Sequence, residues 1–450
     1  MNPSPPRGIS MLSSALDSHS AALAARARKV MPDGNSRHTV HFDPFPIYAS
    51  RGAGCWLTDV DGRSYLDFVN NYSSLIHGHS HPAIVSAVAE RVHSLISVGL
   101  PTEDEVRLAE ILAKRVRSIE EIRFANSGTE AVMLSIKAAR AYTGRPMIAK
   151  LEGAYHGTYE AAEVSQAPTP ETWGSAQAPL SVPTAAGTPT ATLNNTLVLP
   201  FNDVDAARRL LEEHAKQIAA VLIDVAPSHI AYLTLSNEFL GMLTEFRRQT
   251  GTLLILDEVY SLRYSLGGAQ ERFAIEPDLI VLGKIIGGGF PIGAVGGSRE
   301  VMAVFRHLQH PPKLPHGGTY NANPVTMTAG IAAMELYDAR AIASLETLGQ
   351  RLRLGLAEAV KEAGLEAQVT GLGSVAAIVM KSGPLLSYRD LVLGPLDRAR
   401  LKAYQQGMLT ESILVDPRGT IVLSTPMTSK EIDQFLSAAR KVLVKVSQLT

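Results

Sequence analysis

Five short apolar runs recur along the first two thirds of the chain, and each is followed by a turn signal and a helical pattern. Runs that are apolar at every position, rather than at alternate ones, are typical of strands in a parallel sheet covered on both faces. Their alternation with helical segments predicts a doubly wound α/β domain. The predicted strands are 120–126, 147–153, 219–227, 252–259 and 278–284, and the clearest predicted helices are 130–142, 204–217 and 236–250.

The pattern changes beyond about residue 335, where it predicts a smaller α+β domain. Residues 35–69 read as short strands with turns at RGAG and DVDGR, and we expect them to pack on that smaller domain. The predicted domain boundaries are 1–69, 70–335 and 336–450. The C-terminal elements are a helix at 340–364, strands within 366–380 and helices at 388–408 and 428–447, and a further helix is predicted at 11–30.

One long segment, 163–196, is rich in Pro, Ala, Thr and Ser and has neither a helical nor a strand period. We predict a long loop there. Long loops without secondary structure are functional lids or flexible insertions. Because this one follows GAYHG at 153–157, we expect it to lie near the functional site.

The composition excludes several classes of function. The net charge is −1 over 450 residues, and the sequence contains no basic run, which argues against nucleic acid or an anionic membrane as partner. No apolar run is long enough to span a bilayer. The single cysteine, Cys55, excludes an internal disulfide and fits a reducing compartment, so we expect a cytoplasmic location.

Lys284 is the one cation in the apolar, glycine-rich stretch DLIVLGKIIGGGFPIGAVGG at 278–297. A lysine in such surroundings has a lowered pKa and can form a Schiff base. Asp257 ends the preceding predicted strand, and an aspartate there could hold a pyridinium nitrogen positive, as pyridoxal 5'-phosphate (PLP) requires. The spacing alone fits equally well a Lys284 that reaches solvent at the sheet rim and an Asp257 that caps a neighbouring element.

A phosphate group would need its own binding loop, and NSGTEA at 126–131 follows a strand and opens a helix. Backbone N–H groups at a helix N-terminus bind anions. Ser127 and Glu130 also form a capping box, which is the commoner explanation and is compatible with phosphate binding. A second candidate is HGGTYNANP at 316–324, where Thr319 lies in a glycine-bounded loop.

Two further motifs carry aromatic and imidazole side chains. Tyr155 in GAYHG could stack on a planar cofactor, although a packed loop tyrosine explains it as well. His77, His79 and His81 in IHGHSHP have the look of a metal cluster, but no carboxylate partner is evident nearby. We therefore predict no metal site.

Together these segments resemble the class III PLP-dependent aminotransferases of fold type I, in the glutamate-1-semialdehyde aminomutase-like branch. The resemblance implies PLP as cofactor and a homodimer with shared active sites. It also implies a large domain with a mostly parallel seven-stranded sheet and a smaller α+β domain from the N- and C-terminal segments. It spans roughly residues 30–445 through NNYSSLIHGHSHP, NSGTEAVMLSIKAARAYTGR, GAYHG, ILDEVYS, PDLIVLGKIIGGGFPIGAVGG and HGGTYNANPVTMTAG.

The resemblance implies roles for individual residues. Lys284 would hold PLP as a Schiff base and shuttle the substrate proton, and Asp257 would pair with the pyridine nitrogen. Relatives usually carry E-P-x-x-G after the central strand, whereas this chain has DVAPSH, with Asp224 in place of the glutamate. The other implied cofactor contacts are Ser127, Gly128 and Thr129 at the phosphate, Tyr155 and Val259 on the ring faces, His156 and Asp224 nearby, and Thr319 reaching the neighbouring subunit's cofactor.

Arg37 and Arg418 are the candidate carboxylate clamps, although a lone arginine is by default a surface residue. Their segments resemble those around the carboxylate-binding arginines of aromatic β-amino acid aminotransferases and (S)-amine transaminases. There the first arginine takes the β-amino acid carboxylate and the second the α-carboxylate of the keto acid. Tyr72, in NNYSSLIHGHSHP, is expected on the substrate side. Aminomutases carry N-S-P-V-R near the first position, where this chain has NSRHTVHF.

The leading hypothesis is a transaminase that moves an amino group from a β-amino acid, aromatic ones favoured, or a related (S)-amine. The acceptor would be 2-oxoglutarate or pyruvate, with ping-pong kinetics. The alternatives are a glutamate-1-semialdehyde-type aminomutase, a PLP racemase or epimerase, and a non-catalytic PLP-fold binding protein. Retention of Lys284 and Asp257 argues against the last, and a requirement for a keto acid separates the transaminase from the isomerases.

Overall fold

The computed structural model describes residues 18–40, 44–308 and 311–449. All five predicted strands are present within these residues, with bounds that agree to within a few positions. The strands are β1 Ala49–Ala53, β2 Trp56–Asp59, β3 Ser64–Asp67, β4 Glu121–Ala125, β5 Met147–Leu151, β6 Thr196–Leu199, β7 Ile218–Ile223, β8 Leu253–Asp257, β9 Leu279–Gly283, β10 Gly293–Gly297, β11 Gln368–Thr370, β12 Val375–Val379, β13 Ile413–Leu414 and β14 Thr420–Val422.

The helices of the described residues include the three that the first two thirds of the sequence predicted most clearly. They are α1 His19–Ala27, α2 Pro82–Ser94, α3 Glu103–Arg115, α4 Gly128–Thr143, α5 Glu160–Glu163, α6 Thr190–Asn194, α7 Val204–Glu213, α8 Asn237–Thr250, α9 Ala269–Arg272, α10 Arg299–Met302, α11 Pro324–Leu336, α12 Ala339–Glu362, α13 Pro395–Thr410 and α14 Ser429–Ser447. Short 3₁₀ turns are Pro32–Gly34, His38–Val40, Ser228–Ile230, Ser261–Tyr264, Lys284–Gly287, Ala303–Phe305 and Tyr388–Leu391.

The central sheet has seven strands in the order β4-β10-β9-β8-β7-β5-β6. All neighbours are parallel except β10, which runs antiparallel to β4 and to β9. Alternate residues of β5 and β8 pack into different apolar clusters, so helices cover both faces of the sheet. The predicted mostly parallel seven-stranded sheet is confirmed. Because β8 and β9 are parallel neighbours, Asp257 and Lys284 lie at the same edge.

Strand β10 was not predicted because its sequence, GAVGG, has low strand propensity. Close packing explains the glycines. A Cβ on Gly293 would lie 1.9 Å from the backbone oxygen of Ser127, and one on Gly296 would lie 2.9 Å from the Ile119 side chain. The glycines therefore let the start of α4 approach the sheet closely.

The N- and C-terminal segments meet in a four-stranded sheet of order β1-β2-β3-β13, in which β3 pairs in parallel with β13. A separate three-stranded sheet has the order β11-β12-β14. These pairings support the domain boundaries that we propose, 1–69, 70–335 and 336–450. None of the helices in the described segments is long and apolar enough to cross a membrane.

Several predicted bounds were wrong. The helix predicted at 388–408 begins at Pro395, because proline favours the first helical turn, and a 3₁₀ turn precedes it. Strand β1 continues through most of RGAG, so the turn falls at Gly54 and Cys55. The loop predicted at 163–196 contains the short helix α6. Of the helix predicted at 11–30, α1 is present, and residues 11–17 lie outside the described residues.

Candidate active site

Lys284 follows β9 directly and has a φ of 48°, in the left-handed region that residues other than glycine rarely adopt. Its Nζ lies 5.1 Å from the centroid of the Tyr260 ring. Burial lowers the pKa of Lys284, and the charges of Asp257 and Asp224 partly oppose that shift. A strained backbone and a lysine of lowered pKa at a strand end are features of reactive sites.

Asp257, the last residue of β8, is held by two hydrogen bonds. Nδ1 of His156 donates to its Oδ2 at 2.7 Å, and the N–H of Val259 donates to its Oδ1 at 2.9 Å. Burial lowers the pKa of His156, although Asp257 opposes that shift. A neutral His156 that donates from Nδ1 fixes the orientation of a charged Asp257. Within the described part of the chain, Nε2 of His156 has no hydrogen-bond partner.

Asp224 follows β7, the other neighbour of β8, and adds a second acidic group to this edge. Burial, and then the charge of Asp257, raises the pKa of Asp224 to about 7. One of its oxygens accepts a hydrogen bond from the N–H of Ala226 at 3.0 Å. A carboxyl with this pKa is partly protonated near neutrality, so it can donate a hydrogen bond as well as accept one.

His229, within DVAPSH, is a site residue that the sequence reasoning missed. It lies in a 3₁₀ turn, and its ring stacks on Tyr155 with centroids 4.7 Å apart and planes inclined by 19°. Burial, together with Arg418, Lys284 and other nearby cations, lowers the pKa of His229 to about 3. The imidazole is therefore neutral, and its ring packs against one face of the Tyr155 ring. The only signal in the sequence was the departure of DVAPSH from the family pattern.

Lys284, Asp257 and Asp224 line one cavity of about 370 Å³, and Tyr155, on which His229 stacks, lines it as well. Nine of the ten residues predicted to bind the cofactor line it, and Thr319 is the exception. The cavity also has lining residues that were not predicted, among them Asn71, Ser74, Ser228, Tyr260 and Phe290. The nine predicted residues are Ser127, Gly128, Thr129, Tyr155, His156, Asp224, Asp257, Val259 and Lys284.

The start of α4 forms one end of this cavity. Oγ of Ser127 accepts from the N–H of Glu130 at 3.1 Å, and the Glu130 carboxylate accepts from the N–H of Asn126 at 2.8 Å. Capping thus occupies the Ser127 hydroxyl, while the first N–H groups of the helix have no partner within it. Gly157, with φ 87°, approaches Thr129 so closely that a Cβ would lie 2.5 Å from its Oγ1.

This donor set fits PLP. It offers an amine of lowered pKa on Lys284, an oriented carboxylate on Asp257, an exposed aromatic ring on Tyr155 and a helix N-terminus for a phosphate. A Cβ on Gly128 would lie 3.1 Å from both methyl groups of Val259, so this glycine leaves space at the phosphate end. The described residues contain no group of three or more His, Cys, Asp or Glu that could hold a metal ion.

Thr319 lines a different cavity, of about 830 Å³, together with His316 and Asn321. A hydrogen bond of 2.7 Å from Nδ2 of Asn126 to Oδ1 of Asn321 joins this loop to the phosphate end of the first cavity. The structure of the single chain therefore does not bring Thr319 into the cofactor cavity.

Arg37 and Tyr72 lie at a second cavity, also of about 370 Å³, which adjoins the first through Asn71 and Gly289. Nη1 of Arg37 donates to Oδ1 of Asn71 at 2.9 Å, and the Tyr72 hydroxyl donates to the carbonyl of Thr39 at 2.7 Å. The lining of this cavity is largely apolar, with Val40, Ile47, Leu57, Leu75 and Leu414 among its residues. It therefore combines an apolar wall with an exposed guanidinium.

Arg418 is already paired. Its Nε and Nη2 donate to the two oxygens of Asp416 at 3.0 and 3.1 Å. Burial opposes the charge of Arg418, but the charge and hydrogen bonds of Asp416 outweigh that effect and raise its pKa. The positive charge of Arg418 lowers the pKa of both His229 and Lys284, although Arg418 is not among the lining residues of the cofactor cavity or of the second cavity.

Residues 70–73 form a left-handed turn. Asn70, Asn71, Tyr72 and Ser73 have φ values of 48°, 46°, 56° and 79°. The left-handed conformation costs roughly 1–2 kcal/mol for each residue other than glycine, and asparagine tolerates it best. The buried Asp67 carboxylate accepts from the N–H groups of two residues at the start of the turn, and Nδ2 of Asn70 donates to the carbonyl of Val422.

Segment 163–196, predicted as a loop near the site, is fixed by the C-terminal part of the chain. Arg389 forms an ion pair with buried Glu152, stacks on Trp173 and donates to the carbonyls of residues 173–175. The Tyr388 hydroxyl donates to the carbonyl of Pro168 at 3.0 Å. Gly153, with φ 76°, admits the Tyr388 ring, since a Cβ there would lie 2.1 Å from it. We name these contacts the 388–389 clamp.

Lys150 is a second buried lysine of lowered pKa, and it has a different environment from Lys284. Its Nζ donates to the carbonyls of Leu151, Ala154 and Val164 at 3.2, 3.1 and 2.7 Å. Burial lowers its pKa to about 7, although Glu152 opposes that shift. Lys150 therefore fixes the GAYHG turn rather than facing the cavity.

Comparison with known proteins identifies the family of this chain. The family model described as aminotransferase class-III matches residues 38–442. Glutamate-1-semialdehyde 2,1-aminomutase of Methanothermobacter thermautotrophicus is 38% identical over 427 residues, which cover 94% of this chain and 98% of that protein. A solved ω-transaminase from Sphaerobacter thermophilus is 47% identical, with coverage of 97% of this chain and 99% of that one and a TM-score of 0.94.

A solved β-phenylalanine aminotransferase from Variovorax paradoxus is 34% identical, with 96% of each chain covered and a TM-score of 0.85. Another similar solved structure is a transaminase with PLP bound. The predicted resemblance and fold type are thus confirmed. The chain belongs to the class-III aminotransferase family, and it is an enzyme whose cofactor is PLP.

Proposed function

We propose that this enzyme is a transaminase that moves an amino group from a β-amino acid, aromatic ones favoured, or a related (S)-amine. The acceptor is a 2-keto acid, either 2-oxoglutarate or pyruvate. The observation that carries the proposal is the apolar cavity beside the Lys284 cavity, with the Arg37 guanidinium among its lining residues. An arginine beside an apolar wall suits a substrate that has both a carboxylate and an aryl or alkyl group.

PLP, when bound, supplies an electron sink for the carbanion that forms at the substrate carbon. Nζ of Lys284 would take the proton from that carbon and redeliver it to the cofactor, because its lowered pKa raises the fraction of the amine that is uncharged and able to accept a proton. Asp257, oriented by His156, would hold a proton on the ring nitrogen of PLP by its negative charge. Asp224 lies within the same cavity and can donate or accept a hydrogen bond beside the ring.

We assign Arg37 to the carboxylate of the amino donor and Arg418 to the α-carboxylate of the keto acid. Among the described residues, the Arg37 guanidinium has one hydrogen-bond partner, the neutral Asn71, so its charge is available to a substrate. Arg418 is neutralised by Asp416, and the ion pair would have to share or exchange its partner when a keto acid binds. A donor without a carboxylate would then need neither arginine.

The named activities of the relatives support a transaminase without excluding a second candidate. The ω-transaminase and the β-phenylalanine aminotransferase are 47% and 34% identical to this chain. The second candidate is a glutamate-1-semialdehyde aminomutase, and the 38% identity over nearly the full length of one such protein favours it. An aminomutase needs no keto acid, because the amino group moves within one substrate.

The deciding experiment uses the purified holoenzyme and follows the visible absorption of bound PLP. We expect 3-amino-3-phenylpropanoate or (S)-1-phenylethylamine to change that absorption, and 2-oxoglutarate or pyruvate to restore it with release of glutamate or alanine. Conversion of glutamate-1-semialdehyde with no keto acid present would favour the second candidate. If neither amine transfers its amino group to either keto acid, the transaminase proposal is wrong.

We also propose a cytoplasmic homodimer. Ile96, Leu100 and Tyr320, near the Thr319 cavity, are 62%, 72% and 64% exposed, an apolar patch that a second copy of the chain would cover. Sedimentation equilibrium tests the dimer, and a Leu100→Glu variant that remains dimeric would argue against this patch as the interface. Cell fractionation tests the location.

A further inference from the structure

The left-handed turn at 70–73 is the wall between the two cavities. Asn71 lines both of them, Ser74 lines the cofactor cavity, and Tyr72 and Leu75 line the second cavity. Asn71 is also the residue that holds Nη1 of Arg37. The shape of this turn therefore sets the position of Arg37 relative to the cofactor cavity.

One buried side chain braces the turn from outside both cavities. Nη1 of Arg263 donates to Oγ of Ser73 at 2.9 Å, and Arg263 is only 1% exposed. Its Nε donates to Oγ of Ser374 at 2.8 Å, and its Nη2 donates to the carbonyl of Leu423. The Arg263 side chain thus joins the turn to the sheet of β11, β12 and β14.

Arg263 also belongs to the segment that carries the cofactor groups. It lies in the 3₁₀ turn Ser261–Tyr264, which follows β8, and Tyr260, just before that turn, lies against Nζ of Lys284. The carbonyl of Arg263 accepts from the Tyr337 hydroxyl at 2.7 Å, which fixes the backbone of the segment. A single residue therefore sets the distance between the Lys284 side and the Arg37 side of the site.

We propose that Arg263 and Ser73 are positioning residues that determine the preference for amines bearing a carboxylate. Neither lines the cofactor cavity or the second cavity, and both act by holding Asn71, and through it Arg37, in place. This inference rests on the proposed assignment of Arg37 to the donor carboxylate. A turn whose four residues all have unfavourable φ relaxes readily when one of its outside supports is removed.

The test compares Ser73→Ala with the wild-type holoenzyme, since this variant removes one hydrogen bond and adds no bulk. We expect the KM for 3-amino-3-phenylpropanoate to rise about fivefold to tenfold with kcat nearly unchanged, because a displaced arginine weakens ground-state binding. The KM for (S)-1-phenylethylamine, which has no carboxylate, should stay within about twofold. Arg263→Lys should shift the same ratio in the same direction.

Ser374→Ala is the matched control. It removes a hydrogen bond of similar length from the same arginine, at a similarly buried serine, but leaves the bond to the turn intact. A purely structural role for Arg263 would make the two variants alike. Equal shifts for both amines in Ser73→Ala, or the same ratio in Ser374→Ala, would overturn the proposal.

A binding measurement separates this inference from the proposed function. Calorimetric titration of the holoenzyme with 3-phenylpropanoate, an aryl carboxylate with no amine, requires no turnover. We expect weaker binding to Ser73→Ala by about fivefold to tenfold and no change in Ser374→Ala. If the wild type transfers no amine but Ser73→Ala binds 3-phenylpropanoate more weakly than Ser374→Ala does, the proposed function is wrong and the positioning role stands. Equal affinities, or no binding to the wild type, would overturn the positioning role.

Discussion

The two sides of the active site are built differently. Lys284, Asp257 and Asp224 follow or end three adjacent parallel strands, so sheet geometry fixes their spacing. Arg37 and Arg418 come from irregular segments near the two ends of the chain, and one is held by an amide and the other by a carboxylate. With the roles that we propose, reaction chemistry rests on regular structure, while substrate choice rests on loops that can change without moving Lys284.

The sharpest way to test this comparison is to remove the reacting amine. Lys284→Ala should lower the rate of amine transfer by about 10⁴-fold or more, because proton transfer and covalent attachment both depend on Nζ. Steady-state assay and mass spectrometry after borohydride reduction measure the two losses. Lys216→Ala, at an exposed lysine, is the control and should behave as the wild type. A reducible adduct in Lys284→Ala would contradict the assignment.

The next largest effect is expected at the ring nitrogen. Asp257→Asn removes the negative charge while keeping a similar shape, and we expect kcat to fall by about 10²- to 10³-fold. His156→Asn, which keeps a donor near the position of Nδ1, should cost far less, about tenfold, because it disturbs only the orientation of Asp257. Rates with one amine and one keto acid measure both. Equal losses in the two variants would show that His156 does more than orient the carboxylate.

Acid should lower the free energy of unfolding through His77, a buried histidine outside the lining of both cavities. Its Nε2 donates to the carbonyl of Ala333 and its Nδ1 accepts from the Thr425 hydroxyl, so it is buried in the neutral form. Burial, with smaller contributions from His81 and Arg115, lowers its pKa from 6.5 to about 4. Between pH 4 and pH 6.5, His77 binds a proton more readily in the unfolded chain than in the folded one. Stability is therefore complete above pH 6.5 and falls as the pH drops toward 4, by about 3 kcal/mol from this residue.

His77→Gln retains a donor toward Ala333 and cannot titrate. Urea unfolding at pH 7 and at pH 4.5 should show a smaller loss of stability on acidification in the variant than in the wild type. An exposed histidine changed in the same way, such as His93→Gln, serves as the control. An identical pH dependence in His77→Gln and the wild type would show that His77 is not buried neutral.

The smallest of these effects divides the two arginines. Arg37→Ala should raise the KM for 3-amino-3-phenylpropanoate, and Arg418→Ala the KM for 2-oxoglutarate, each by about 10- to 100-fold from the loss of a charge-assisted hydrogen bond. The KM of the other substrate should change little. Arg340→Ala, at a side chain 94% exposed, is the control. If both variants raise the same KM, the two arginines bind one carboxylate and the assignment of roles is wrong.

The same division governs what the sequence could predict. Continuous apolar runs identified the strands of the central sheet, and polar residues at their ends identified Lys284 and Asp257 before any contact was known. Strand β10 was not predicted because it contains glycines, which have low strand propensity. Close packing against Ser127 requires glycine at residue 293. The helix predicted from residue 388 begins at Pro395 because local side-chain contacts hold the preceding turn in another shape.

The substrate side was harder to predict because its contacts join residues far apart in the chain. Arg418 could be named as a clamp, but its pairing with Asp416 depends on how the loop folds. The left-handed turn contains no glycine, the residue that usually indicates positive φ. Its two asparagines are the only residues of the turn that favour this conformation. His229 was visible only as a departure from a family pattern, and its stacking on Tyr155 follows from the 3₁₀ turn.

The 388–389 clamp has a consequence for the order of events during synthesis. Arg389 contacts the carbonyl of Gly174 across 215 residues of sequence. At a translation rate of about 5–20 residues per second, segment 163–196 leaves the ribosome roughly 10–40 s before the side chains that hold it. During that interval the Glu152 carboxylate has no arginine partner, and the segment is open to proteases and chaperones. The strands of the central sheet, the last of which ends at Gly297, therefore leave the ribosome before the side chains that hold this segment.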